Sequence, residues 1–153
     1  MQPSIRRSQV ILRMPVDHVQ ATLILHDGAR SDVMLFVPPT EDLEHLLGPS
    51  GPRFLPMIRG SKMHLVAREA IAGLGIQAVV ATPQDDDLPI EVQPAMVQLK
   101  SGTELVGELR YSAPMGQART ADYLNTSADT FDLHIEGIVF HIVKAHVALV
   151  EER

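Results

Sequence analysis

The chain contains no cysteine. That removes disulfides, thiolate zinc sites and cysteine nucleophiles together, and it fits a reducing compartment. No stretch approaches the roughly 18 unbroken apolar residues that a membrane span needs. Near the N-terminus, Arg13 and Pro15 interrupt the apolar residues, so that segment lacks the core of a signal peptide. We expect a cytoplasmic protein with no membrane partner. A basic surplus is missing too, since the net charge is −6. It divides as about +2 over residues 1–18, about −1 over 19–76, about −4 over 77–93 and about −3 over 94–153. Nucleic-acid binding draws most of its affinity from Lys and Arg set against phosphates. This balance therefore disfavours nucleic acid as the main partner.

What is present is self-similarity. Leu23-Ile24-Leu25-His26-Asp27-Gly28 leads into Val33-Met34-Leu35-Phe36-Val37. About 74 residues later, Val97-Gln98-Leu99-Lys100-Ser101-Gly102 leads into Gly107-Glu108-Leu109-Arg110-Tyr111. Each is a pair of extended runs around a turn whose glycine supplies positive φ. The likeness continues in order. Glu44-His45-Leu46-Leu47 parallels Asp122-Tyr123-Leu124-Asn125, and Phe54-Leu55-Pro56-Met57 parallels Phe131-Asp132-Leu133-His134. Leu65 to Ile71 then parallels His141 to Val147. We read this order as an internal duplication.

Period-2 alternation marks the strands. Phe131, Leu133 and Ile135 alternate with Asp132, His134 and Glu136, because successive side chains of a strand face opposite sides. Leu105, Gly107, Leu109 and Tyr111 alternate likewise with Val106, Glu108 and Arg110. Ile138 to Val143 is apolar on both faces apart from His141, which predicts a central, doubly covered strand. Helix is scarce. Thr40 to Gly48 predicts a short helix with a threonine N-cap and a glycine stop. Arg119 to Asn125 predicts an equivalent turn with Asn125 as a left-handed cap. Gln9 to Met14 predicts an extra strand pairing with Gln77 to Ala81.

The organisation follows from these signals. Residues 1–18 form an N-terminal strand or arm, 19–81 a first module, 82–93 an acidic Pro-rich linker and 94–153 a second module. Asp85-Asp86-Asp87 belongs to the linker, where three adjacent acids do not converge on a cation as alternately spaced calcium ligands do. Modules of about 55–60 residues bury only about 60% of their surface. We expect them to pack together or to gain stability by oligomerisation. Met34 and Phe36 make their strand apolar on both faces, which predicts cover by the other module or an exposed patch for a partner.

Two strands around a turn glycine, a second glycine five residues on and a later strand couplet ending in a basic residue resemble the Sm-like, SH3-type small β-barrel. Leu99-x-x-Gly102-x-x-x-x-Gly107-x-Leu109 resembles the first Sm signature, with Leu124-Asn125 as the following apolar-Asn pair. Val143-Lys144-Ala145-His146-Val147 resembles the second. The first module keeps Leu25-x-x-Gly28 but has Val33 in place of the second glycine. The family's Arg-Gly pair is Lys144-Ala145 in one module and Arg68-Glu69 in the other. Arg119-x-x-Asp122-x-Leu124-Asn125 also resembles a segment of uncharacterised bacterial proteins with an Asp-Gly hairpin, which names no activity. The resemblance implies a mainly β protein of two tandem small SH3/Sm-like barrels, each of about five strands with one short helix or helical turn. It also implies an RNA pocket at Arg68, Lys144 and Asn125.

Arg119, Asp122 and Asn125 are the polar cluster to weigh as a ligand site. Arg119 and Asp122, three apart, pair on one helical turn. Their structural reading is to cap that turn and pin the loop, as such polar residues usually do. His134, His141 and His146 suggest an open zinc site, but no HxH or HExxH spacing supports it, and ordinary imidazoles are the plainer reading. Asp17-His18 has no serine partner that can be placed. No nucleophile–base spacing appears, so no cofactor and no metal is expected. The sequence favours a non-enzymatic binding or assembly protein with a protein partner or a homo-oligomeric state, acting through open strand edges. Sm-like RNA binding is the alternative, and a small metal-dependent enzyme stands behind both.

Overall fold

The computed structural model describes residues 17–38, 41–78, 90–112 and 119–153. Among them ten strands form one antiparallel sheet. These are β1 (Asp17–Leu25), β2 (Arg30–Val37), β3 (Phe54–Arg59), β4 (Lys62–Ala67) and β5 (Ile71–Gln77). They continue with β6 (Ile90–Leu99), β7 (Glu104–Ser112), β8 (Thr130–Ile135), β9 (Ile138–Val143) and β10 (Val147–Glu152). Two five-residue helices, α1 (Leu43–Leu47) and α2 (Thr120–Leu124), follow β2 and β7. Single 3-10 turns, Arg68–Ala70 and Lys144–His146, lead into β5 and β10. The protein is mainly β. No described helix is long and apolar enough to cross a membrane.

The hairpins follow local chemistry. Gly28 and Gly102 sit at φ 89° and 97° in the β1–β2 and β6–β7 turns, as their sequence context predicts. The β3–β4 and β8–β9 turns use Gly60-Ser61 and Glu136-Gly137, all four residues at positive φ. Two consecutive positive φ values match the right-handed twist of the flanking strands. Ser61 and Glu136 carry side chains in that region, so only Gly60 and Gly137 marked these turns in the sequence.

Strand order across the sheet is β10-β6-β7-β8-β9-β5-β1-β2-β3-β4. Each half keeps its own strands together, with β5 beside β1 and β10 beside β6. The halves then join edge to edge, β5 pairing with β9 from Gly73 opposite Ile142 to Gln77 opposite Ile138. Two tandem barrels of about five strands each were expected, and the described strands form one continuous sheet. β9 is central, paired along both edges, but only its Phe140 and Ile142 face is buried; Val139, His141 and Val143 on the other face are half-buried, so the expected double cover is not found.

Two apolar clusters hold the sheet. One gathers Leu23, Leu35, Leu43, Leu46, Leu55, Met57, Ile71 and Leu74, so α1 closes the first half with its leucines. The other centres on Val97, Leu99, Leu105, Leu109, Phe131, Leu133, Phe140 and Ile142. It also takes Ile24 and Ala72 from the first half, which ties the halves by packing as well as by pairing. Fully burying one such side chain contributes roughly 1.5–3 kcal/mol.

Several local expectations are corrected. Phe54 does not stand where Phe131 does: counted from the hairpin turns, Leu55 and Phe131 are the matching positions, opposite Val66 and Ile142. Phe54 is accordingly 56% exposed while Leu55 and Phe131 are buried, since a one-residue slip turns every side chain to the other face. The cap of α1 is Asp42, whose Oδ1 accepts from the His45 N–H at 2.8 Å. Thr40 lies outside the described residues. Asn125 ends α2 at φ −91°, so it is not a left-handed cap. β6 already begins at Ile90, four residues inside the stretch read as linker. Asp85-Asp86-Asp87 and the extra strand at Gln9 to Met14 lie outside the described residues. Met34 and Phe36 are half-buried, and His18 sets its ring edge-on to Phe36 at 4.9 Å.

Candidate functional site

The three residues of the polar cluster do not converge. Arg119 precedes α2, and its carbonyl accepts from the Tyr123 N–H at 3.1 Å. Asp122 and Asn125 are exposed on α2 and just after it. No ion pair joins Arg119 to Asp122 among the described residues. Arg119 alone lines an open cleft of about 550 Å³, with Glu91, Gln93, Tyr111 and Glu152. What α2 does bury is aromatic. Tyr123 stacks on Tyr111 at 4.8 Å and 12°, and Tyr111 Oη lies 3.3 Å from Thr120 Oγ1. Burial pushes the Tyr123 phenol above its ordinary value, against the Asp132 backbone N–H that it accepts.

Arg68 and Lys144 act as clamps. Arg68 Nη1 donates to the Gly51 carbonyl at 2.6 Å, and its backbone N–H to Arg53 O at 2.8 Å. Lys144 Nζ donates to the Thr126 carbonyl at 3.1 Å, and its backbone N–H to Asp129 O at 2.9 Å. Each basic residue starts a 3-10 turn and holds the loop that follows its own half's helix. A charge-assisted hydrogen bond is stronger than a neutral one, so these cations are engaged with loop carbonyls. The RNA pocket that the resemblance implies would have to draw both away.

The histidines are divided. His141 Nδ1 meets Asp132 Oδ1 at 2.9 Å across β8–β9, while His146 Nε2 meets the Glu69 carbonyl at 2.9 Å, bridging the two 3-10 turns. His134 sits near Arg110 and Glu108, and its pKa is lowered, first by burial and then by Arg110. No three His, Asp or Glu residues among those described converge to hold a metal ion.

The two ends of the sheet stand apart from these side-chain clusters. Among the described residues β4 and β10 are the terminal strands, each paired on one side only. A terminal strand presents a row of unpaired N–H and C=O groups to any further strand. Apolar side chains accompany that row. Leu65 is 67% exposed and Met63 57% on β4, with Phe54 and Ile58 beside them on β3. Leu149 is 46% exposed on β10. Open strand edges are legible in the sequence in general but these two strands are not, because the order of a sheet is a long-range property. Lys62-Met63-His64-Leu65 does carry a signal, two large apolar residues on the face where alternation would place polar ones. Comparison of the chain with protein-family models, with curated proteins and with solved structures finds no match.

Proposed function

We propose that this is a non-enzymatic binding and assembly protein built of two tandem small SH3/Sm-like barrels, acting through its outer strand edges. The tandem reading is supported by the common order of the halves, two hairpins and a closing strand around one apolar cluster and one short helix. One observation carries the functional reading: among the described residues the sheet ends in strands with no strand on their outer edges, and their exposed side chains include Leu65, Met63 and Leu149. Natural edge strands are usually blunted by proline, by charge or by cover, and β4 has only Lys62 for that purpose. Strand addition to such an edge obtains its affinity from main-chain hydrogen bonds and its specificity from alternate side chains.

The RNA reading has no observation in its favour among the described residues: Arg68 and Lys144 hold loops, and Asn125 ends α2, exposed and outside the cleft. Light scattering on gently purified protein tests the proposal. We expect a mass above the 16.8 kDa of one chain, from copies of itself or from a protein carried along. A partnerless single chain at every concentration contradicts it.

A further inference from the structure

We infer that the protein binds a free basic α-amino acid, of the lysine or arginine type, in the cleft that Arg119 lines at one end of the second half. The cleft lies where β6 begins and β10 ends, with β7 and α2 as its other walls. Its volume of about 550 Å³ falls within the roughly 300–1,000 Å³ of small-molecule sites. Glu91 on β6 stands directly opposite Tyr111 on β7, so the two share a face of the sheet. Glu152 stands opposite Ala95 on the other side of β6. Arg119 and Thr120 come from the start of α2.

The two halves differ at this end in one consistent way. Counted from the hairpin turns, Tyr111 takes the place of Val37, since Glu91 opposite Tyr111 repeats Asp17 opposite Val37. Glu152 opposite Ala95 takes the place of Ile76 opposite Ala21. Thr120 opens α2 as Leu43 opens α1. The first half packs Val37, Leu43 and Ile76 on its apolar cluster. The second half sets a phenol, a hydroxyl and a carboxylate at the same three positions, around a cleft. Packing alone does not ask for that exchange.

The polar groups divide by chemistry. Tyr111 and Thr120 are 8% and 7% exposed. Among the described residues their hydroxyls bond only each other, at 3.3 Å. Each hydroxyl carries one proton, so one of the two has no acceptor there, and a buried donor without a partner is costly. Arg119 makes no ion pair among the described residues. A carboxylate suits these donors, since it accepts a bidentate guanidinium and a further O–H. Glu91, facing Tyr111, suits the α-ammonium beside that carboxylate. Glu152 lies level with Ala95, four residues along β6 from Glu91, about 14 Å at the rise of a strand. A stretched methylene stem ending in a cation reaches towards it, with Val150 and Leu124 as apolar wall. Arg153, the neighbour of Glu152 in sequence, is paired with Glu151 at 2.9 Å. Two carboxylates and one guanidinium leave the lining with one net negative charge, and lysine or arginine brings one net positive charge.

Amide NMR titration of the full chain with L-lysine, L-norleucine and cadaverine tests each contact, because norleucine lacks the side-chain cation and cadaverine the carboxylate. Lysine should shift the amides around Glu91, Thr120 and Glu152 and saturate. Norleucine should bind about tenfold more weakly, the worth of one charge-assisted hydrogen bond, and cadaverine should not bind. Arg119→Ala should lose both amino acids. Glu152→Gln should bring lysine down to the norleucine level and leave norleucine unchanged, which a merely structural role for Glu152 would not produce. Arg119 and Glu152 are exposed and outside both cores, so these variants keep the fold. Tyr111→Phe, which keeps the ring that stacks on Tyr123, should weaken both amino acids. Absence of saturable shifts with lysine at millimolar concentration overturns the inference. So do shifts centred elsewhere, cadaverine or a lysine blocked at both α-groups binding as tightly as lysine, or unchanged lysine binding in Arg119→Ala.

Discussion

Phe140 lies over Gly75 across the β5–β9 pair so closely that a Cβ at position 75 would fall 2.6 Å from its Cε1. This is the seam between the halves, and glycine is required there by space rather than by a positive φ. Gly75→Ala should destabilise the protein by about 1–3 kcal/mol through overpacking. Phe140→Ala should cost about 3–5 kcal/mol through lost burial. In a Phe140→Leu background, Gly75→Ala should cost less than alone, because contacting residues couple. Urea denaturation of the parent and the four variants reads all three effects.

Arg68 and Lys144 should matter for loop order rather than for RNA. Arg68→Ala leaves the Gly51 carbonyl without its 2.6 Å donor, a loss of about 1–2 kcal/mol for a part-buried charged hydrogen bond. Lys144→Ala should cost less than about 1 kcal/mol, since its bonds to Thr126 are exposed. Amide exchange should quicken at Gly51 to Arg53 in the first variant and at Thr126 to Asp129 in the second. Salt-dependent RNA binding by the parent that disappears in both variants would contradict this assignment.

Two groups give pH windows of opposite sense. The His134 pKa is lowered below 6.5, by burial first and by Arg110 second, so the fold favours the neutral ring. Its contribution is present above that value and is lost as pH falls through the folded pKa. His134→Gln should therefore flatten the fall of the urea midpoint on acidification, with the ring's own NMR titration as the direct check. The Tyr123 pKa is raised above 10.0 by burial, so its contribution is present below that value and is lost as pH climbs through the folded pKa. The chain has two tyrosines, so ultraviolet titration of Tyr111→Phe isolates Tyr123, and ionisation at or below 10.0 would refute its burial.

Local chemistry in the sequence foretold a good part of the fold. The Asp-Gly and Ser-Gly turns, the alternation along Phe131, Leu133 and Ile135, and the central position of Ile138 to Val143 all follow from period and turn chemistry. Misalignment of Phe54 with Phe131 shows where that logic ends. Two phenylalanines look alike, but only the distance to the next hairpin turn decides which face each one occupies. The β5–β9 seam was hidden for a related reason. Gly73 and Gly75 have no side chain to mark a seam, and the Ile142 and Phe140 side chains that fill their places come from β9, far along the chain. Spacing of three suggested an Arg119–Asp122 pair, but Arg119 precedes α2, which turns its aromatic and aliphatic residues inward and leaves Asp122 and Asn125 in solvent.

Residue-resolved amide hydrogen exchange across a dilution series tests the edge account most directly. Protection of β4 at Met63 to Val66 and of β10 at Leu149 to Glu152 should rise together with protein concentration, while β1 and β9, paired on both sides within the chain, stay protected throughout. Rapid exchange of both terminal strands at every concentration, in protein that carries no partner, would contradict it.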